Sequence, residues 1–187
     1  MSDIILLKLG EIVYKGLNRK ALERKLLSNI AYRLKPIGNF KITCLQSTIY
    51  VEPEDDSCDM DEAFEACGKI FGIISMARAS ACEKDKDAIA ALAIRCLKEQ
   101  MENAKSFKVE SKRSDKSFPM TSSQLSQYVG GKLQEAYPDT PVDVHNPDLT
   151  VHVEVRDLAA YVHADPVPGA GGMPVGSNGI AVTLLSG

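Results

Sequence analysis

The 187-residue chain is 44% hydrophobic and 25% charged, a balance that excludes a disordered polymer and suits one ordinary domain or two small ones. Its net charge of −3 argues against a general polyanion binder, and its apolar runs fall well short of a membrane helix or a signal peptide. Cys44, Cys58, Cys67, Cys82 and Cys96 are widely spread, with no C-x-x-C pair, which points to reduced thiols and a cytoplasmic location.

The elements follow in chain order. Residues 4–9 form a short apolar strand, and a loop with Gly10 and Gly16 follows. Leu17 and Asn18 read as staple residue and N-cap of a helix that buries Leu22, Leu26, Ile30 and Leu34 at helical spacing. Residues 40–45 and 48–51 are strands around a tight turn. Residues 59–70 make an acidic helix with Met60, Ala63, Phe64 and Cys67 inward, and 73–79 a further strand. The order βαββαβ fits a ferredoxin-like domain.

A second unit opens near Cys82. Residues 87–103 read as one amphipathic helix with Ile89, Leu92, Ala93, Cys96, Leu97 and Met101 on one side. Residues 107–113 are a strand with Phe107 and Val109 on one face and Lys108 and Lys112 on the other. Thr121-Ser122-Ser123-Gln124 is a capping box opening a helix with Leu125, Tyr128, Val129 and Leu133 inward. Residues 149–155 and 160–165 alternate as a hairpin. The fold class is mixed α/β (α+β), with a boundary near residue 80. Residues 166–179 are rich in Gly and Pro and read as a linker or backbone-contact loop. Residues 180–185 return to strand character with no evident partner strand.

Charge is segregated along the chain. Residues 8–35 carry eight bases, Lys15, Arg19 and Lys20 among them, against Glu11 and Glu23. Residues 105–132 carry six bases against Glu110 and Asp115, whereas residues 52–65 carry eight acids and no base. Such polarity can hold a polyanion on one face, and solvated helix faces are the plainer alternative. Arg19 and Lys20 stand in a first helical turn, where the dipole disfavours cations, so a phosphate is a natural external partner. Lys112, Arg113 and Lys116 gather with Phe118 just before the helix start at Ser122. Cations and free helix N–H groups suit phosphates, and Phe118 either stacks an unpaired base or anchors the loop in the core. Gly130 and Gly131 inside that helix suggest a close approach by another element or a nucleic-acid backbone.

Other chemistries find little support. Gly169-Ala170-Gly171-Gly172 leads into a strand rather than a helix, unlike a dinucleotide fingerprint. His152 and His163 are placed to face each other on the outer side of the hairpin, with no acid partner in sequence, and no metal site is expected. Cys67 and Cys96 fall on apolar helix faces and read as core.

The run FKVESKRSDKSFPMTSSQLSQYVGGKL, followed by Asn146-Pro147-Asp148 before a strand pair, resembles a THUMP domain, an RNA-binding module of tRNA-modifying enzymes. LLKLGEIVYKGLNRKALERKL resembles the start of the tRNA 4-thiouridine synthetase (tRNA sulfurtransferase) family, inside its ferredoxin-like domain. GAGGMPVGSNGIAVTLLSG resembles the junction to that family's PP-loop ATP pyrophosphatase domain. Lys112-Arg113 stands where the family often has two arginines, and Gln124 where it has glutamate.

The resemblance implies a ferredoxin-like domain over 1–80, a THUMP domain over 81–166, and a linker with the first PP-loop strand over 167–187. It implies RNA contacts at Lys112, Arg113, Lys116, Phe118, Ser122, Lys15, Arg19 and Lys20. It places Leu184, Leu185, Ser186 and Gly187 at the edge of an ATP-phosphate loop, with no catalytic residue, cofactor or metal held by this stretch alone. For the parent protein it implies ATP with Mg, a persulfide sulfur donor and a tie to thiamine synthesis. The partners implied are tRNA, held at the acceptor stem and CCA end, a cysteine desulfurase, and a second copy in a homodimer. In that reaction ATP adenylates O4 of a uridine and a persulfide sulfur displaces AMP. A THUMP module of a methyltransferase, deaminase or pseudouridine synthase stays open, as does a protein-interaction module without RNA.

Overall fold

The computed structural model describes residues 3–14, 16–179 and 182–184. Two compact units are interleaved in sequence: residues 7–76 with 168–187, and residues 1–6 with 77–167. The division passes through two strands, β1 (Asp3–Leu9) and β4 (Ile73–Cys82).

The unit built on residues 7–76 runs β1, two single 3₁₀ turns (Glu11–Tyr14 and Gly16–Asn18), α1 (Arg19–Leu34), β2 (Phe40–Leu45), β3 (Thr48–Pro53), α2 (Met60–Gly68) and β4. The strand order β2-β3-β1-β4 is that of a ferredoxin-like βαββαβ sheet. Ile4, Ile5, Leu6 and Leu7 of β1 are all buried, as befits an interior strand. β2 and β3 pair antiparallel from Phe40↔Pro53 to Leu45↔Thr48. Their two-residue turn puts Gln46 and Ser47 at φ +48° and +66°, the left-handed pair that matches strand twist in a tight hairpin. No Gly or Asn lowers the cost of that turn. Instead Ser47 is pinned, its carbonyl accepting from Leu9 N at 3.2 Å and its hydroxyl from Arg19 Nη2 at 3.0 Å.

α1 buries Leu26, Ile30 and Leu34, with Leu22 half-buried. Its expected cap is absent: Asn18 sits at φ −83°, ψ −10° and its side chain makes no capping bond. Leu17 staples nothing and is fully exposed. The chain enters α1 from a 3₁₀ turn, so Asn18 already has helical dihedrals and lacks the extended geometry a cap requires. α2 has the cap that α1 lacks, Asp59 accepting from Asp61 N and Glu62 N at 3.0 and 2.9 Å. Acids in its first turn suit the helix dipole, which accounts for part of the acidic stretch.

Residues 166–179 return to this unit and are held by it. β8 (Val167–Pro168) pairs with β4. Gly169 N donates to Ile74 O at 3.0 Å, Gly171 N to Ile73 O at 2.7 Å, and Gly72 N to Gly171 O at 2.7 Å. Asn29 Nδ2 donates to Val175 O at 3.1 Å. The Gly/Pro stretch is a docked strap. Beyond it, Val182–Leu184 carry no regular structure and are exposed, so no strand is found among the described residues of 180–185. Ile180, Leu185, Ser186 and Gly187 lie outside the described residues.

The other unit contains α3 (Lys86–Cys96), α4 (Lys98–Asn103), β5 (Phe107–Arg113), α5 (Ser122–Ala136), β6 (Leu149–Val155) and β7 (Ala160–His163), with strand order β4-β7-β6-β5. β5 and β6 are parallel from Phe107↔Leu149 to Arg113↔Val155, joined by the α5 crossover. The expected single helix over 87–103 is broken at Leu97, which leaves helical geometry at φ −108°, ψ +18°. Leu97 and Met101 are both buried on either side of the break. Ile89, Leu92 and Ala93 of α3, Leu125, Val129 and Leu133 of α5, and Val151, Val153 and Val155 of β6 make one core.

Candidate nucleic-acid interface

The site in the second unit is built by the turn between β5 and α5. Ser114 N donates to Val155 O at 3.0 Å, extending the ladder one residue past β5. Asp115 accepts from Ser117 N at 2.8 Å and from Lys84 Nζ at 2.6 Å, and Lys84 also donates to Asp157 O at 2.9 Å. These bonds, Lys84 first and then the Ser117 hydroxyl and amide, hold the Asp115 carboxyl well below the usual range. Arg113 Nη1 donates to Phe118 O at 2.8 Å. Phe118 is only 5% exposed and belongs to the core, so it anchors the loop and offers no face to a base.

The cations of this turn are thus divided in role. Arg113 and Lys84 are consumed in shaping it. Lys112 and Lys116 are exposed and make no hydrogen bond or ion pair among the described residues. Lys116 lies in the loop that leads to α5, where Thr121 Oγ1 accepts from Gln124 N at 3.2 Å and Gln124 Oε1 accepts from Thr121 N at 2.8 Å, whereas Lys112 is on the face of β5 opposite the one that Val109 and Ser111 turn to α5. The capping box is the expected one, and it leaves the N–H groups of Ser122 and Ser123 outside it. An exposed ammonium group on the loop before free helix N–H groups fits phosphate oxygens, and Lys112 adds a second exposed cation at the end of β5.

Gly130 and Gly131 do not mark a close approach. A Cβ on Gly130 would make ordinary contact with Val109 Cγ2 at 3.7 Å, and one on Gly131 would meet nothing within 4 Å. Both positions are more permissive than their helix penalty suggests.

In the ferredoxin-like unit, Arg19 Nε is paired to Glu23 at 2.6 Å and its Nη2 bonds to Ser47. Lys20 is exposed, and Lys15 lies outside the described residues. α1 has no acid in its first turn. Arg19 therefore serves the β2–β3 turn, and Lys20 is the free cation of the expected pair.

His152 and His163 do face each other, in register and stacked with ring centroids 5.0 Å apart. They are not an outer surface pair, since His163 is 4% exposed. Its Nδ1 is 2.6 Å from Ala164 O, and Glu154 and Asp165 provide the acid neighbours that sequence order hides. Among the described residues no group of three or more His, Cys, Asp or Glu is arranged to hold a metal ion. Cys67, buried on α2, has its thiol pushed up to about 12 by burial, and Cys82 and Cys96 are each pushed up to about 11, chiefly by the same cause. None has the depressed pKa of a nucleophile. Among the described residues no helix is long and apolar enough to cross a membrane.

Sequence reasoning missed Lys84 and Asp157, which meet the loop from distant positions. It also missed Tyr14, which is 88% exposed between β1 and α1.

Comparison with known proteins gives two adjacent family matches: a ThiI ferredoxin-like domain over residues 4–77 and a THUMP domain over residues 83–165. The chain is 41% identical to the probable tRNA sulfurtransferase of Acetivibrio thermocellus, over 100% of this chain and 48% of the relative. It thus spans about half the length of the curated relatives it matches. Among solved structures it resembles a 4-thiouridine synthetase in complex with RNA and ATP, with TM-score 0.83 and 29% identity, covering 100% of this chain and 47% of that one. The fold is also that of PH1313 from Pyrococcus horikoshii, with TM-score 0.81 and 23% identity, covering 94% and 58%.

Proposed function

Because the chain belongs, over residues 4–77 and 83–165, to the ThiI ferredoxin-like and THUMP domain families, we propose that it is the tRNA-holding part of a tRNA sulfurtransferase that makes 4-thiouridine. The observation that carries this reading is the tandem itself, aligned over the full chain with relatives named for that activity. The turn geometry supports it: Lys116, on the loop before α5, and Lys112, at the end of β5, are exposed cations, and the start of α5 offers N–H groups to a backbone phosphate. An A-form stem would be gripped through phosphates and shape, since side chains cannot read its deep groove.

In the parent protein the reaction is ATP-dependent. O4 of the target uridine is adenylated with release of pyrophosphate, a persulfide sulfur, supplied through a cysteine desulfurase, displaces AMP at C4, and a second thiol breaks the S–S bond so that 4-thiouridine leaves and a disulfide remains. ATP with Mg and the sulfur donor are bound outside residues 1–183, with Leu184, Leu185, Ser186 and Gly187 at the edge of the phosphate loop. The acceptor stem and CCA end are the parts of tRNA held by this chain, in the cytoplasm. The parent pairs as a homodimer and also serves thiamine synthesis.

The test is a titration of this chain with tRNA and with an acceptor minihelix ending in CCA, at moderate salt. Wild type binds both. The double reversal Lys112→Glu, Lys116→Glu weakens binding at least tenfold at unchanged melting temperature. Equal binding by wild type and the double variant removes the site assignment, and no binding by wild type removes the RNA role.

A further inference from the structure

The aromatic residue that the sequence offers for base stacking, Phe118, is buried, yet exposed aromatic surface exists elsewhere. We propose that Tyr14 and Leu17, beside the cations Lys20 and Arg24, form a contact for an unpaired nucleotide. This rests on the RNA-binding reading above and adds a second point of grip in the ferredoxin-like unit.

Tyr14 and Leu17 are 88% and 103% exposed. Scattered exposed apolar residues are ordinary, but these two project from a segment that is fixed at its base. Ile12 is fully buried, Gly10 N donates to Gly72 O at 3.1 Å, and Val13 N donates to Gly10 O at 3.2 Å. Below them, Arg19 is tied to Glu23 and Ser47. The backbone is held at Gly10 and Val13, and the start of α1 by Arg19, while the side chains of Tyr14 and Leu17 are left outside.

The charges nearby say what kind of partner fits. Lys20 and Arg24 are four residues apart on α1 and so share one face, where like charges repel. The guanidinium of Arg24 reaches only the Lys20 carbonyl, at 3.4 Å. Glu23, the acid between them, is taken by Arg19, which leaves Glu11 as the other acid of the segment. An exposed aromatic and an exposed aliphatic side chain, followed along the chain by an uncompensated cation pair, is the combination that holds single-stranded nucleic acid. The base lies on the ring while the backbone meets the cations. Tyr32 is also exposed, but it lies at the far end of α1, away from this cation pair. A second copy of the chain is the competing occupant, and the cation pair disfavours it because two such faces would repel.

The experiment uses the full chain and two labelled RNAs, a blunt hairpin and the same hairpin with a short single-stranded 3′ extension bearing 2-aminopurine. Wild type binds the extended RNA more tightly and quenches its fluorescence. Tyr14→Ala and Leu17→Ser lower affinity for the extended RNA by about 5- to 150-fold, the range for loss of one stacked base. They leave blunt-hairpin binding within twofold, and Tyr14→Phe behaves as wild type. Both residues are exposed, so melting temperatures stay unchanged. Wild-type quenching and affinity in Tyr14→Ala overturn the proposal, as does an equal loss on both RNAs. A dimer abolished by Leu17→Ser with RNA affinity intact overturns it in favour of a second copy. The Lys112→Glu, Lys116→Glu variant, run in parallel, shows whether a failure belongs to this contact or to RNA binding as a whole.

Discussion

Replacing Gly169 by alanine is expected to release the strap from the ferredoxin-like unit. A Cβ built there lies well inside the van der Waals contact distance of the Ile73 carbonyl oxygen and 3.0 Å from Ile73 Cγ2. The oxygen cannot swing aside, because it accepts from Gly171 N at 2.7 Å. Relief therefore requires the strap to part from β4, with loss of Gly169 N to Ile74 O, Gly171 N to Ile73 O, and Gly72 N to Gly171 O. At about 0.5–1.5 kcal/mol for each bond, the cost is about 1.5–4.5 kcal/mol. Gly179→Ala is the control, since a Cβ there meets nothing within 4 Å, and it should change stability by less than about 0.5 kcal/mol. Urea unfolding gives the magnitude, and amide exchange at Gly72, Gly169 and Gly171 reports the strap directly. Wild-type stability in Gly169→Ala, with those amides still protected, would refute the docking argument.

Five further outcomes are expected. Lys112→Ala with Lys116→Ala should lower the slope of log affinity for RNA against log salt by about 1.4–1.8, two phosphate contacts' worth. Arg113→Ala should instead lower the melting temperature, through loss of its bond to the Phe118 carbonyl; an equal slope change with unaltered melting would show Arg113 at a phosphate. Phe118→Ala should cost about 3–5 kcal/mol in a thermal or urea melt, whereas Phe118→Leu should bind RNA as wild type does, and a binding loss there would revive base stacking at this residue. Gly131→Ala should raise stability by about 0.8–1 kcal/mol, and a destabilised variant would point to a neighbour against α5. For pH, burial and then the charge of His163 lower the His152 pKa, against the pull of Asp165. The unfolded chain therefore takes up the proton more readily, so stability is full above about pH 6.5 and is lost as pH falls below it. His152→Gln should flatten melting temperature against pH between about 7 and 5, and an unchanged slope would remove His152 as the cause.

What was legible in the sequence is what short-range chemistry decides. Thr121 and Gln124 stand three apart, and the capping box they announce is the one that forms. Val151, Val153 and Val155 alternate with polar residues, and their burial follows. Asn18 misled because a capping side chain acts only if the backbone before the helix is extended, and here it is already wound into a 3₁₀ turn. Gln46 and Ser47 gave no sign of left-handed dihedrals, because the turn is held by Arg19 from 28 residues away. The same limit hid the Lys84–Asp115 pair, separated by 31 residues, and with it the sorting of basic side chains into shaping and free ones. Ionic character can be read from a list of residues, but which cations remain unpaired is a property of the folded loop.

The interleaving of the two units sets an order of events during synthesis. Residues 7–76 leave the ribosome early, but the strap that completes their unit follows only after all of 77–167. At about 5–20 residues per second, β4 waits several seconds with the edge later taken by Gly169 and Gly171 unoccupied. The first six residues wait in the same way for a unit that begins at residue 77. The unit of 7–76 is completed only after the other has been made, so a nascent chain stalled near residue 80 carries two incomplete units where a simple tandem would carry one finished domain.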